Sequence, residues 1–319
     1  MKFLNQLIKK QNIFQRSVGL NLNQFQEMAK RLADLWDKSE IERKTRENRR
    51  RKIGGGRSYK FESLEEKLLI LLLYYKSYLT QEFLGMIVGM NQSNISRLLK
   101  KMSSIIETAA DPDLKTYLAD AKKEYDQFGA ECKINDWKTF LQKHPDLADV
   151  STDATEQKCF RPEDNEQQKV RYSGKKKQHT VKVQLSFAAT GRILDVSNTY
   201  PGSVHDKKIL DQEGTVKKIP PKTPHRFDLG YQGAATENPD HYIILPVKKK
   251  RKTELTAFEK ELNHVHSKRR IKAEHGISRV KKFRICTNVY RGPIKSHNQI
   301  VRNVAALLNF RLFNPMISA

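Results

Sequence analysis

The sequence predicts an α/β protein in two unlike parts: an all-α front half, then a mixed sheet flanked by helices. Three observations carry that reading. As far as Pro145 the apolar residues recur at helical steps of three and four. From Thr180 the period switches to two, the signature of strands. Beyond Ser203, helical and strand-like runs alternate, as in a mixed α/β sheet. With 319 residues, and roughly 100 to 200 per domain, the chain has room for about two cores.

Taken in order, Leu22, Phe25, Met28, Ala29, Leu32 and Leu35 give the stretch Leu20 to Trp36 one apolar helix face. Arg43 to Lys52 then carries seven basic residues and one acid and runs into Gly54-Gly55-Gly56. This reads as a charged helix end and a flexible joint, either an arm along nucleic-acid phosphates or a solvated linker. Ser63 has the character of an N-cap, with Glu65 and Glu66 in the first turn, where negative charge suits the helix dipole. Thr80 caps a shorter helix ending in Gly89, and a further helix opens at Gln92. Those proportions are a helix-turn-helix. Ile95, Leu98, Leu99 and Met102 point inward, leaving Gln92, Ser93, Asn94, Ser96, Arg97 and Lys100 for base edges and phosphates. An ordinary helical hairpin with a polar outside has the same pattern. From Asp111 to Pro145 the chain reads as a polar helical linker region anchored by Trp137, Phe140 and Leu141.

Composition narrows the function. Sixty Lys and Arg against 36 Asp and Glu give a net charge of +24, which is most easily tolerated beside a polyanion, so nucleic acid is the expected partner. Cys132, Cys159 and Cys286 show no CxxC spacing, which argues against a zinc knuckle or disulfide framework and for a reducing compartment. The longest apolar run, Leu68 to Tyr75, is far shorter than the roughly 20 residues of a bilayer span. The expected setting is cytoplasmic, associated with the nucleoid in a bacterium. Lys248 to Lys252 could serve nuclear import but is more simply a phosphate-binding loop.

In the back half, Leu147 to Val150 reads as a first strand with Asp153 at its tip. Val181, Val183, Leu185 and Phe187 alternate with Lys182, Gln184 and Ser186, and a hairpin partner follows at Arg192 to Ser197. A helix is expected from Ser203 to Asp211, short strands around Arg226 to Asp228 and Tyr242 to Pro246, helical segments from Leu255, and a core-packing helix from Asn298 to Phe313. Phosphoryl transfer assisted by two metal ions needs about three convergent carboxylates, because magnesium takes hard oxygen ligands. Asp153, Asp228 and Glu274 are candidates, although spacing alone picks out no three acids in a chain with so many. Arg270, Glu274 and Lys281 fall on one narrow helix face, so Glu274 suits an ion, and Arg270 and Lys281 suit phosphates; an exposed Arg–Glu pair is the plain alternative. Asp206, after His205, competes for the second carboxylate, or else caps and orients. Lys175, Lys176, Lys177 and His179 read as phosphate contacts or as a charged hairpin.

These segments resemble the DDE transposases of bacterial insertion sequences, in the subgroup related to eukaryotic Harbinger transposases. The resemblance runs from roughly Phe14 to the C-terminus. It rests on Asn94-Ile-Ser-Arg97 in the helix-turn-helix, Thr152 to Glu156 with Arg161-Pro162, Tyr172 to Thr180, Pro201 to Asp206, Asp228 to Gly233, and Arg270-x3-Glu274-x6-Lys281. Two positions depart from the family pattern: Ser267 stands where tyrosine is frequent, and Ala154 where glycine is common. The resemblance implies an RNase H-like catalytic domain with Asp153, Asp228 and Glu274 as the metal-binding triad, for Mg2+ with Mn2+ as a substitute. It also implies cleavage at the element's inverted repeats and strand transfer to a target. Double-stranded DNA is then the partner, with at least a dimer of the chain on DNA and no membrane. The expected divisions are 1–57, a helical arm with basic linker; 58–110, the helix-turn-helix domain; 111–146, the helical linker region; and 147–319, the catalytic domain. A silent DNA-binding protein and a plain metal-dependent endonuclease are the rival readings.

Overall fold

The cap signals set the front half. In the computed structural model, which describes residues 2–45, 60–111, 114, 116–128, 133–251 and 253–313, the chain begins with α1 (Lys2–Lys9), α2 (Gln11–Val18) and α3 (Leu22–Lys44). Asn21 and Gln24 close a reciprocal capping box on α3. This helix runs past the expected Trp36 because Glu40, almost buried, is ion-paired to Arg43 and Lys101. The Gly54-Gly55-Gly56 joint and most of the basic run before it lie outside the described residues, as does Cys132; Cys159 and Cys286 are buried free thiols.

Ser63 opens α4 (Leu64–Ser77) and accepts from the Glu66 amide; Thr80 opens α5 (Gln81–Val88) and accepts from the Phe83 amide. Gly89 then takes the left-handed conformation, φ +66°, that ends α5 and turns the chain into α6 (Gln92–Asp111). A Cβ on Gly85 would fall on the Met90 carbonyl oxygen, so this position admits only glycine at the observed helix spacing. Ile95, Leu99 and Met102 are buried.

The span 111–146 contains α7 (Tyr117–Asp126) and α8 (Ile134–Lys143). Leu118, Ala121, Tyr125 and Phe140 pack with Leu147, Val150, Ala188 and Leu194, so these helices cover part of the sheet. The sheet comprises β1 (Val150–Lys158), β2 (Tyr172–Ser173), β3 (Gln178–Ala188), β4 (Ile193–Val196), β5 (Tyr200–Pro201), β6 (His225–Arg226) and β7 (Ile243–Ile244). Its order is β2-β3-β1-β6-β7, with β4 and β5 also pairing with β3; β1 is antiparallel to β3 and parallel to β6, and β6 is parallel to β7. The helices between and after the strands are α9 (Asn165–Arg171), α10 (Asp206–Glu213), α11 (Thr215–Lys218), α12 (Ala234–Glu237), α13 (Ala257–Lys281) and α14 (His297–Phe313). A mixed sheet in this order, covered by helices, is the RNase H-like arrangement. No helix among the described residues is long and apolar enough to cross a membrane.

Two local expectations are corrected. Leu147 belongs to a 3-10 turn, Pro145–Ala148, and the first strand begins at Val150, which puts Asp153 inside β1 and not at its tip. Proline at the head of that turn cannot donate to a strand ladder, while the polar run Ser151 to Gln157 is held as strand by continuous pairing with β3. The alternation in β3 suggests one apolar and one polar face, yet both are buried from Thr180 to Ala188. The polar face is satisfied internally: Gln184 donates to the Tyr231 hydroxyl (2.9 Å) and accepts from Thr215 (3.2 Å), while Ser186 bonds Thr152 (2.7 Å).

The apolar core is continuous between the two halves. Met102, Ile105 and Ile106 of α6 belong to the same cluster as Val301, Val304 and Leu308 of α14, and as Val183, Leu185 and Phe187 of β3. Within it, Asn303 donates to the Tyr75 hydroxyl (3.0 Å) and to the Ser103 carbonyl (2.8 Å). At the rim, the Arg291 amide donates to the Tyr78 hydroxyl (2.7 Å), and its guanidinium lies 4.1 Å from the Tyr78 ring centroid.

Candidate active site

The site starts from strand register. Parallel pairing sets Ser151 beside Arg226, the last residue of β6, so Asp153 stands two residues further along β1 and Asp228 two residues past the end of β6, at the head of a 3-10 turn. Asp228 is held by its own turn, in which its Oδ1 accepts from the Gly230 amide (2.8 Å). Helix α13 crosses this end of the sheet and brings Glu274 into a cleft of about 250 Å³ with Asp153, Glu156, Asp206, Lys175, Lys176, Lys182 and Lys281. The helix can come this close because residue 276 is glycine: a Cβ there would overlap the Phe187 ring. Arg270, one turn before Glu274, donates to Asp153 Oδ2 at 3.2 Å.

Electrostatics tie these groups together. Burial is the main force raising the Asp153 carboxyl, from 3.8 to about 6; Arg270 opposes the rise, while Asp228 and Asp206 add to it. The Tyr231 phenol is raised well above its ordinary value by burial and by Asp206, Asp153 and Asp228, so it stays neutral. Burial and the nearby Lys176 ammonium lower Lys281. Lys182, almost fully buried, bridges Asp206 Oδ1 (2.9 Å) and Glu156 Oε1 (3.5 Å) and donates to the Val204 carbonyl (2.8 Å).

Asp153, Glu274, Lys175, Lys176 and Lys281 thus share one cleft, with Arg270 on its central acid and Asp228 alongside. Lys177 sits at the exposed hairpin tip with φ +54°, and His179 packs edge-on against Tyr172; neither lines the cleft. Asp206 does line it, while His205 caps α10. Glu156 and Lys182 were not singled out from the sequence. The available signal was weak: Lys182 lies on the polar face of β3, and only the burial of that face in the folded sheet demands a partner for its charge.

Among the described residues, no three His, Cys, Asp or Glu side chains are gathered into a ready cage for a metal ion. Asp153 spends one oxygen on the Ala154 amide (2.8 Å) and the other on Arg270. The donor chemistry nonetheless suits a hard divalent cation: the acids in and beside the cleft offer carboxylate oxygens, and Asp153 is raised in part by its neighbours Asp228 and Asp206.

Away from the cleft, Gln92, Ser93, Asn94, Arg97 and Lys100 are exposed on the first turns of α6, and Ser96 is partly so. Arg97 donates to Asn94 Oδ1 (2.7 Å), and Gln92 to Gln81 (3.0 Å).

An RNase H-like sheet with an acidic, cation-rimmed cleft, preceded by a helix-turn-helix, defines the class: a DNA-binding protein with a nuclease-type domain. Residues 152–309 match the DDE superfamily endonuclease family, and residues 59–112 match the helix-turn-helix of DDE superfamily endonucleases. The chain is also 26% identical over 251 residues to the probable transposase for insertion sequence element IS702 of Microchaete diplosiphon, covering 78% of this chain and 81% of that protein. No solved structure matches. The chain belongs to the DDE superfamily, among its transposases with an N-terminal helix-turn-helix.

Proposed function

We propose that this chain binds the terminal inverted repeats of a mobile element, cleaves DNA at the element's ends and joins the 3′ ends to target DNA. The observation that carries the reading is the gathering of Asp153, from β1, and Glu274, from α13, in one cleft edged by lysines, with Asp228, two residues past the end of the neighbouring parallel strand β6, close enough to raise the Asp153 carboxyl. Asp153, Asp228 and Glu274 would hold Mg2+, with Mn2+ as a substitute. When bound, such ions activate the attacking oxygen and neutralise the leaving one.

The protein's own part is positional. Lys175, Lys176 and Lys281 offer ammonium groups along the cleft for consecutive phosphates of a strand, and binding through them weakens as salt rises. Arg270 steadies Asp153 and, being forked and permanently charged, suits a bidentate phosphate contact. Lys182 keeps Glu156 and Asp206 paired, which keeps two more negative charges from repelling the strand. The exposed polar turn of α6 reads the end sequence in a major groove. Bringing both ends of an element to one reaction calls for at least two copies of the chain.

The test is a duplex carrying the repeats that flank the gene, incubated with protein and Mg2+. Cleavage and joined products are expected from the wild type, with both lost in Asp228→Asn while binding persists. Binding without cleavage under any divalent ion would leave a silent DNA-binding protein, and cleavage that never yields joined strands would leave a plain endonuclease.

A further inference from the structure

Helix α13 spans 25 residues, but its first half is packed on one side only. There Asn263 exchanges hydrogen bonds with Val247 (2.7 and 3.0 Å), and His266 bonds the Phe227 carbonyl (2.8 Å). On a different side Phe258, Leu262 and Val265, at steps of four and three, form one stripe and are 72, 45 and 47% exposed. A row of large apolar side chains on so charged a surface marks a contact face.

The charges flanking the stripe identify its occupant. Glu261 lies beside it at the N-terminal end, where Glu259 is taken up by the Thr256 capping box and Lys260 falls on the far side of the helix; Lys268, Arg269 and Lys272 lie at its C-terminal end. Two such helices placed side by side in the same direction would set like charges against each other. Placed antiparallel, with the twofold axis between Asn263 and His264, they bring Leu262 opposite the second copy's Val265, Phe258 opposite its Arg269, and Glu261 beside its Lys268. Each of these contacts is favourable, and a cyclic pair uses the same patch twice. A DNA groove is a poorer fit, because the stripe itself gives phosphates and base edges nothing to bond, while in the antiparallel pair the cations at its end meet the second copy's Glu261 and Phe258.

We infer that this face of α13 is the surface on which two copies of the chain pair antiparallel. The inference rests on the transposase reading for its purpose, since it names the surface that would hold two end-bound copies together. One helix face is small beside the roughly 1,200–2,000 Å² of a stable complex, so the dimer dissociates on dilution.

Sedimentation equilibrium of the full chain, without DNA or metal, tests it. A reversible monomer–dimer equilibrium is expected. Leu262→Glu and Glu261→Lys should each raise the dissociation constant by about tenfold or more, roughly 1.4 kcal/mol, with unchanged circular dichroism. Glu261→Lys combined with Lys268→Glu should restore pairing. A chain that stays monomeric at every soluble concentration overturns the inference, as does a dimer indifferent to Leu262→Glu or a charge exchange that restores nothing. Because neither cleavage nor DNA enters the measurement, its failure is separate from failure of the end-cleavage reading.

Discussion

Asp153 carries the largest conflict in the cleft. Buried and facing Asp228 and Asp206, its carboxyl is raised from 3.8 to about 6 despite Arg270. The folded protein therefore holds this proton more tightly than the unfolded chain does. The stabilisation is full below the unfolded value and is lost as pH rises through about 6. A shift of about two units corresponds to at most about 3 kcal/mol. Asp153→Asn should accordingly melt at a higher temperature than wild type at neutral pH without divalent ions, with the gain vanishing as pH falls towards 4, while cleavage is abolished. Thermal melts across that range, paired with a cleavage assay, read both. The three acids and the cations Arg270 and Lys281 could be named from the sequence because they sit in recurring local contexts. The Lys182 bridge to Glu156 and Asp206 could not, because it joins side chains from β3, β1 and α10 that only the folded sheet brings together.

Among the elements, α13 decides where Glu274 and Arg270 stand, and its seat depends on Gly276. Gly276→Ala would push a methyl group into the Phe187 ring; overpacking of that kind costs about 1–3 kcal/mol. Urea unfolding should show that loss, and cleavage should fall by more than the change in folded fraction explains, because Glu274 moves with the helix. Unchanged stability would mean that Phe187 yields freely. The helices were legible because their caps are local: Ser63, Thr80 and Gly89 act where the sequence suggests. The first strand was misplaced because Ser151 to Gln157 lacks apolar alternation and owes its extension to pairing with residues about thirty positions away.

For the molecule as a whole, the shared core matters most. Helix α6 exposes polar residues at one end and packs Met102, Ile105 and Ile106 into the cluster that contains α14 at the other. The two halves should unfold together in one calorimetric transition, with equal van't Hoff and calorimetric enthalpies. A fragment starting at residue 133, stripped of α6, should expose the inner face of α14 and aggregate; a soluble, cooperatively folded fragment would contradict a common core. Sequence patterning shows two parts but not their fusion, since the apolar face of α14 matches many possible partners.

That fusion bears on redesign. Replacing residues 60–111 with a foreign helix-turn-helix would remove Tyr75, Ser103 and the α6 residues that share a core cluster with α14, so a wholesale graft should yield insoluble protein. Changes confined to the outward side chains of Gln92 through Lys100 leave that cluster intact, and under the proposed end recognition such changes should alter which duplex is bound without loss of solubility.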